Sequence, residues 1–81
     1  MDHDKDKIDE DVLALLFLNA FREKKDWPWK TWKSHDWEVL DRLCEKGYIS
    51  DPKSKAKSVV FTDEGLKMAK QLFEAKYVQR N

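Results

Sequence analysis

This sequence is short of the residues that carry most enzyme chemistry and most covalent cross-links. Its 81 residues include one cysteine, Cys44, two histidines, His3 and His35, two glycines and two prolines. A lone cysteine excludes an intrachain disulfide and a cysteine zinc cluster, and makes a reducing compartment the simpler setting. Cys44 and His35 stand nine positions apart, about half a turn out of phase on one helix and well separated along its axis. A buried structural cysteine and a surface or capping histidine are expected instead of a catalytic pair. No Gly-rich phosphate loop or nucleophile motif occurs, so the residues predict no enzyme, no cofactor and no small-molecule substrate. The apolar run from Val12 to Leu18 is far shorter than the ~20 residues of a membrane span. Met1-Asp2-His3-Asp4-Lys5-Asp6 is acidic where a secretory signal would be basic. A soluble, cytoplasmic chain is the expectation. Net charge is lacking too: Lys and Arg number 16, as do Asp and Glu, which excludes a simple polycation built to coat nucleic acid.

What is present suits a small folded domain. Charged residues make up 40% and hydrophobic residues 41%, a balance that favours a helix-rich fold over disorder. A chain of this length buries only about 60 to 65% of the surface its unfolded form exposes, so its stability is marginal and oligomerisation would help. The charge is unevenly placed: residues 1 to 40 carry 10 acids and 7 bases, and residues 41 to 81 carry 6 acids and 9 bases.

Punctuation along the chain predicts the elements. Residues 1–7 read as a flexible N-terminus and 8–24 as a helix, with Asp6, Asp9, Glu10 and Asp11 near the positive end of its dipole. From Val12 to Phe21 only Asn19 is polar. Val12, Leu15 and Leu16 share one side at 100° per residue, while Leu13, Phe17 and Phe21 lie on the other. One side can meet the domain's own core and the other needs a partner. Pro28 starts a short helical turn over 27–33. Ser34 or Asp36 caps a helix over 35–46, with Trp37, Leu40 and Cys44 along its core face and Val39 and Leu43 beside it. Gly47 closes that helix in the left-handed conformation. Tyr48 and Ile49, then Val59, Val60 and Phe61, form a β-hairpin wing over 48–61. Thr62 caps a last helix over 62–78, whose core stripe is Leu66, Ala69, Leu72, Phe73 and Tyr77. The fold class is mainly α with a two-stranded wing, as a single winged-helix-like domain.

The block from Leu40 to Leu72, above all Leu43-Cys44-Glu45-Lys46-Gly47-Tyr48-Ile49 and Phe61-Thr62-Asp63-Glu64-Gly65-Leu66, resembles the recognition helix, wing and following helix of winged-helix regulators of the MarR and PadR kind. That resemblance implies DNA binding. It covers a little under half the chain, and only Trp27 to Lys33 is available for the helix that should precede the recognition helix. The whole chain, including its opening residues and Trp32-Lys33-Ser34-His35-Asp36-Trp37, also resembles a group of small bacterial proteins of uncharacterised function, which implies no activity.

Several features are candidates for chemistry. Asp2, Asp4 and Asp6 have the first spacings of a calcium-binding loop, but the positions for its Gly and its bidentate Glu hold Lys7 and Leu13. An acidic helix start is the better reading, so no metal site is expected. Met1-Asp2-His3 offers copper or nickel a square of nitrogens, as any chain with His third does. Trp27, Trp29, Trp32 and Trp37 lie among Lys24, Lys25, Lys30 and Lys33, an interleaving suited to stacking on bases or to a protein hot spot. Lys53, Lys55 and Lys57 would point the same way from an extended wing, along a phosphate backbone or simply into water. The 35–46 helix is acidic: Asp36, Glu38, Asp41 and Glu45 oppose Arg42 and Lys46, whereas a helix entering a major groove should be neutral or basic.

The leading expectation is therefore a non-enzymatic module acting through protein contact. A homodimer is favoured, with Leu13, Phe17, Phe21, Trp27 and Trp29 as interface residues. The alternative is DNA binding through Lys30, Lys33, His35, Arg42, Lys53, Lys55 and Lys57. Lysines gathered into one basic face formed by the wing with Lys30 and Lys33 would favour DNA. Scattered lysines would favour protein.

Overall fold

The computed structural model describes residues 4–33 and 36–78. Its elements follow the order α1 (Lys5–Leu18), β1 (Lys30–Trp32), α2 (Trp37–Glu45), β2 (Ser58–Val60) and α3 (Asp63–Tyr77). The fold is mainly helical with one two-stranded antiparallel sheet, in keeping with the winged-helix-like outline.

Helix α1 starts and stops earlier than the 8–24 span predicted. The Asp4 carboxylate accepts from the Lys7 amide at 3.1 Å, so the cap lies in the stretch read as flexible. At the other end the amides of Asn19 and Ala20 turn back to the carbonyls of Leu16 and Phe17, which frees Phe21 from the helix. Phe21 instead exchanges both backbone hydrogen bonds with Lys30, at 2.9 and 2.7 Å.

The short helical turn expected over 27–33 is β1. Trp29, Thr31 and Trp32 are β-favouring residues, and an antiparallel partner is within reach. β1 pairs with β2 in the register Lys30↔Val60, Thr31↔Val59 and Trp32↔Ser58. The wing hairpin is correspondingly slighter than 48–61 implied. Ile49 bridges Phe61, and the Ser50 amide reaches the Val60 carbonyl at 2.8 Å. The Val60 amide then takes the Ser50 hydroxyl, and the segment beyond turns away through Pro52, which has no amide to lend a ladder.

Two tight junctions place α2 and α3. Gly47, at φ +81°, ends α2, with the Tyr48 amide on the Leu43 carbonyl at 3.0 Å and the Gly47 amide on Cys44 at 2.9 Å. The Thr62 hydroxyl accepts from the Gly65 amide at 2.9 Å, capping α3, and donates to the Gly47 carbonyl at 2.7 Å. The start of α3 is thereby tied to the end of α2. Gly65 is required by proximity, since a Cβ there would lie 1.8 Å from the Tyr48 carbonyl oxygen.

The core gathers Leu13, Leu16, Val39, Leu40, Leu43, Ile49, Val59, Phe61 and Ala69. Thr31, wholly buried, donates its hydroxyl to the Leu16 carbonyl at 3.0 Å and ties β1 to α1. Three expectations about the core need correction. Trp37 is 57% exposed, because as the first residue of α2 it lies beyond the end of the apolar cluster. Tyr77, at the far end of α3, is exposed for the same reason. Leu13, expected on an outward face, is buried at 1% exposure where α1 meets its neighbours.

Candidate functional site

Strand geometry fixes which side chains share the outer face of the sheet. Lys30 and Trp32, two apart on β1, point the same way, and Phe21, Val60 and Ser58 stand opposite them on the flanking segments. Thr31 and Val59 point into the core. On that outer face the rings of Phe21 and Trp32 stack with centroids 5.0 Å apart and planes 26° from parallel. This is the diagonal contact that neighbouring strands allow. Trp32 is 52% exposed and Trp27 is 41% exposed.

Cations are distributed among these rings. The Lys24 ammonium lies 4.8 Å from the Trp27 ring centre and that of Lys30 5.9 Å. The Arg22 guanidinium lies 4.8 Å over Trp29, which packs against the core with its other parts. Lys33 reaches the other way: its ammonium donates to the Ser54 carbonyl at 2.8 Å and lies 5.8 Å from the Trp37 ring. Its amide donates to the Lys57 carbonyl at 3.1 Å. The loop bearing Lys53, Lys55 and Lys57 is thus joined to β1 and is exposed from Lys53 to Lys57, while Pro52 before them is buried.

The charge bookkeeping of this end is one-sided. Residues 20–33 and 50–58, brought together by the sheet, hold eight bases (Arg22, Lys24, Lys25, Lys30, Lys33, Lys53, Lys55, Lys57) and three acids (Glu23, Asp26, Asp51), a net of +5. The remaining residues hold the other 8 bases and 13 acids, a net of −5. One acid, Glu23, pairs with Lys30 at 3.7 Å in solvent, an interaction worth little.

At the helical end Asp6, Asp9, Arg42 and Lys46 are engaged with one another. Asp9 is 1% exposed and accepts from Arg42 Nε at 3.0 and 2.9 Å and from Arg42 Nη2 at 2.8 Å. Lys46 donates to Asp9 at 2.9 Å and to Asp6 at 3.0 Å. Burial pushes the Asp9 carboxyl upward, but the hydrogen bonds and charges of Arg42 and Lys46 outweigh it and hold its pKa below the ordinary aspartate value. The same hydrogen bonds to Asp9 raise Arg42 and Lys46, against the opposing effect of burial. Beside the cluster runs an open groove of about 470 Å³ with apolar walls from Leu13, Leu43, Tyr48, Met68 and Leu72. Asp6, Asp9 and Lys46 at its edge already satisfy one another.

The candidate residues are therefore sorted by position. Lys33 is bonded to the loop that bears Lys53, Lys55 and Lys57, while Lys30 pairs with Phe21 in the sheet and lies near Trp27. The bidentate pairing of Arg42 with Asp9 corrects its assignment as a nucleic-acid contact. His35 lies outside the described residues, as do Asp2 and His3. Asp4 caps α1 and Asp6 pairs with Lys46, which is what those carboxylates do here. Leu13 is lost to the core, and Phe17 is partly covered by Phe73 at 5.4 Å, so the face of α1 proposed as an interface is largely occupied within the subunit. Sequence reasoning missed the Asp9 cluster. Its signal was the match of Asp6 and Asp9, three apart on α1, with Arg42 and Lys46, four apart on α2.

Comparison with known proteins gives a family without an assigned activity. The profile described as "Domain of unknown function (DUF6429)" matches residues 4–79. The "Uncharacterized protein y4hR" of Sinorhizobium fredii (strain NBRC 101917 / NGR234) is 49% identical over 73 residues, which are 90% of this chain and 92% of that protein. No solved structure matches. Among the described residues no helix is long and apolar enough to cross a membrane.

Proposed function

We propose that this chain, which belongs to the DUF6429 family, is a non-enzymatic binding module whose ligand is a nucleic acid held at the basic, aromatic end of the sheet. The observation that carries the reading is the joining of the wing to β1 through Lys33, which bonds to Ser54 and Lys57 and so links two segments, 20–33 and 50–58, whose net charge is +5. A surface of that kind attracts phosphates by releasing their condensed counterions. Lysines in one basic face are the feature that favours nucleic acid over protein, and the link between the wing and β1 supports that reading here.

The mode differs from that of the MarR and PadR regulators that the wing resembles. Between α1 and α2 there is a strand in place of the second helix of a helix-turn-helix. Helix α2 presents Glu38, Asp41 and Glu45, and its Arg42 is engaged by Asp9. Contact through the wing and sheet gives weak binding without base reading, at about 10⁻⁴ to 10⁻⁶ M in physiological salt. Anisotropy titrations of a labelled oligonucleotide across a salt series test it. Replacing Lys53, Lys55 and Lys57 with Gln should flatten the slope of log affinity against log salt by roughly 2 to 3. An oligonucleotide that stays unbound even at low salt would end the proposal.

A protein partner is the second reading, favoured by one feature. Phe17, Phe73 and Tyr77 form a ladder of tilted rings, each 5.4 Å from the next, running out to exposed Tyr77 and Val78. Sedimentation equilibrium at tens of micromolar distinguishes a self-associating chain from a 9.7 kDa monomer.

A further inference from the structure

We infer that the nucleic acid bound at this end is single-stranded, its unpaired bases stacking on the outer face of the sheet with Trp32 and Phe21 as the platform. The inference rests on the nucleic-acid reading and deepens it. Trp32 and Phe21 are within 26° of parallel with ring centres 5.0 Å apart, so Phe21 backs one face of Trp32 and fixes its ring on the sheet. Trp32 is left 52% exposed, and Trp27, 41% exposed, has the Lys30 ammonium 5.9 Å from its ring centre. Large rings held in this way on a sheet are poorly used by a duplex, whose bases hide their faces in the stack and offer a protein only their edges and the phosphates. A single strand exposes the faces, and stacking tolerates any base because each has a π-surface.

The cations fit the same ligand. Lys24 and Lys30 lie beside Trp27, and Lys30 shares the outer face of β1 with Trp32, so that face carries ammonium groups for the phosphates beside a stacked base. A three-residue strand spans roughly 10 Å, so the free face of Trp32 takes a single base with its adjoining phosphates. The wing lysines then serve the backbone beyond. An acidic peptide would satisfy the lysines but would leave the free face of Trp32 without a flat partner, which is why the single strand is preferred.

Labelled oligo-dT of about 15 nucleotides, within the usual range of single-strand sites, is titrated against the full chain beside a duplex of the same length and a poly-Glu peptide as competitor. Trp32→Ala is the main variant, Trp32→Phe keeps a ring, and thermal melts of both confirm the fold. The expected result is tighter binding to oligo-dT than to duplex. Trp32→Ala should weaken oligo-dT about tenfold or more, Trp32→Phe should restore most of that loss, and the duplex should be unaffected by either. Equal binding of both nucleic acids, untouched by Trp32→Ala, would overturn the stacking inference and leave the electrostatic reading standing. Failure to bind either at low salt would remove the nucleic-acid reading itself. Competition by poly-Glu that equals unlabelled oligo-dT and shares its sensitivity to Trp32→Ala would assign the face to an acidic protein segment and overturn the inference.

Discussion

At the helical end, Asp9 is buried and takes four hydrogen bonds from Arg42 and Lys46. At the sheet end, Lys24, Lys30 and Lys33 lie 4.8 to 5.9 Å from tryptophan rings, beside lysines of an exposed loop. Both ends are rich in charge, yet they use it differently. Opposite charges taken out of water must satisfy one another, and once they do they hold α1 to α2 and offer a ligand little. Like charges left at a surface repel and add slightly to instability, and so represent attraction available to an anion. The same contrast separates the aromatic residues: Phe61 is in the core, while Trp32 and Trp37 give up burial.

If this division is right, substitutions at the helical end change stability and those at the sheet end change binding. The largest effect is expected at Asp9. Asp9→Ala leaves two cations facing an empty site and should cost about 3 to 5 kcal/mol, a large part of the stability of so small a domain. Urea unfolding followed by circular dichroism measures it. Asp11→Ala, which breaks an exposed contact to Lys76 at 2.7 Å, should leave the midpoint close to that of the parent chain. Equal effects from the two would dissolve the distinction between buried and exposed pairs.

Gly65→Ala comes next. Its methyl group would overlap the Tyr48 carbonyl, so backbone must shift at the junction of α2 and α3, at a cost of about 1 to 3 kcal/mol. A variant as stable as the parent would mean that this junction yields freely.

The pH response sharpens the comparison. Asp9 has a folded pKa below its unfolded value of about 3.9, so its contribution is complete above that value and is lost as pH falls through the folded pKa. The stability gap between the parent chain and Asp9→Asn should therefore narrow in acid below about pH 4 and stay constant from pH 5 to 8. A gap independent of pH down to 2 would show that the carboxylate charge contributes nothing.

The smallest effect belongs to Trp37. As an exposed residue it should tolerate Trp37→Ala within about 0.5 kcal/mol, instead of the 3 to 5 kcal/mol expected of a buried aromatic. Differential scanning calorimetry resolves the two. A large loss would return Trp37 to the core and weaken the contrast between the ends.

Local chemistry made much of the fold legible. Asp36 capping α2, Gly47 ending it and Thr62 capping α3 all act through hydrogen bonds to residues at most five positions away, and short-range rules suffice for these. The β1 strand was not legible as a strand, because Trp29 to Trp32 supports a turn or an extended segment equally and its partner lies about 28 residues on. The lysines of the candidate site were visible as residues, but not their assembly. Trp37 was misplaced because a helical stripe tells which side faces inward and says nothing of where along the axis the core ends.

By itself the sequence determined the helical class, the caps of α2 and α3, the closing turn at Gly47, and the absence of a disulfide framework, since these depend on residue types and near neighbours. Only the tertiary structure decided that Phe21 leaves its helix for the sheet, that Arg42 belongs to Asp9, and that segments 20–33 and 50–58, together +5, meet across the sheet. Such outcomes turn on pairings between residues 9 to 33 positions apart, where burial and strand geometry choose among partners that local propensity leaves equivalent.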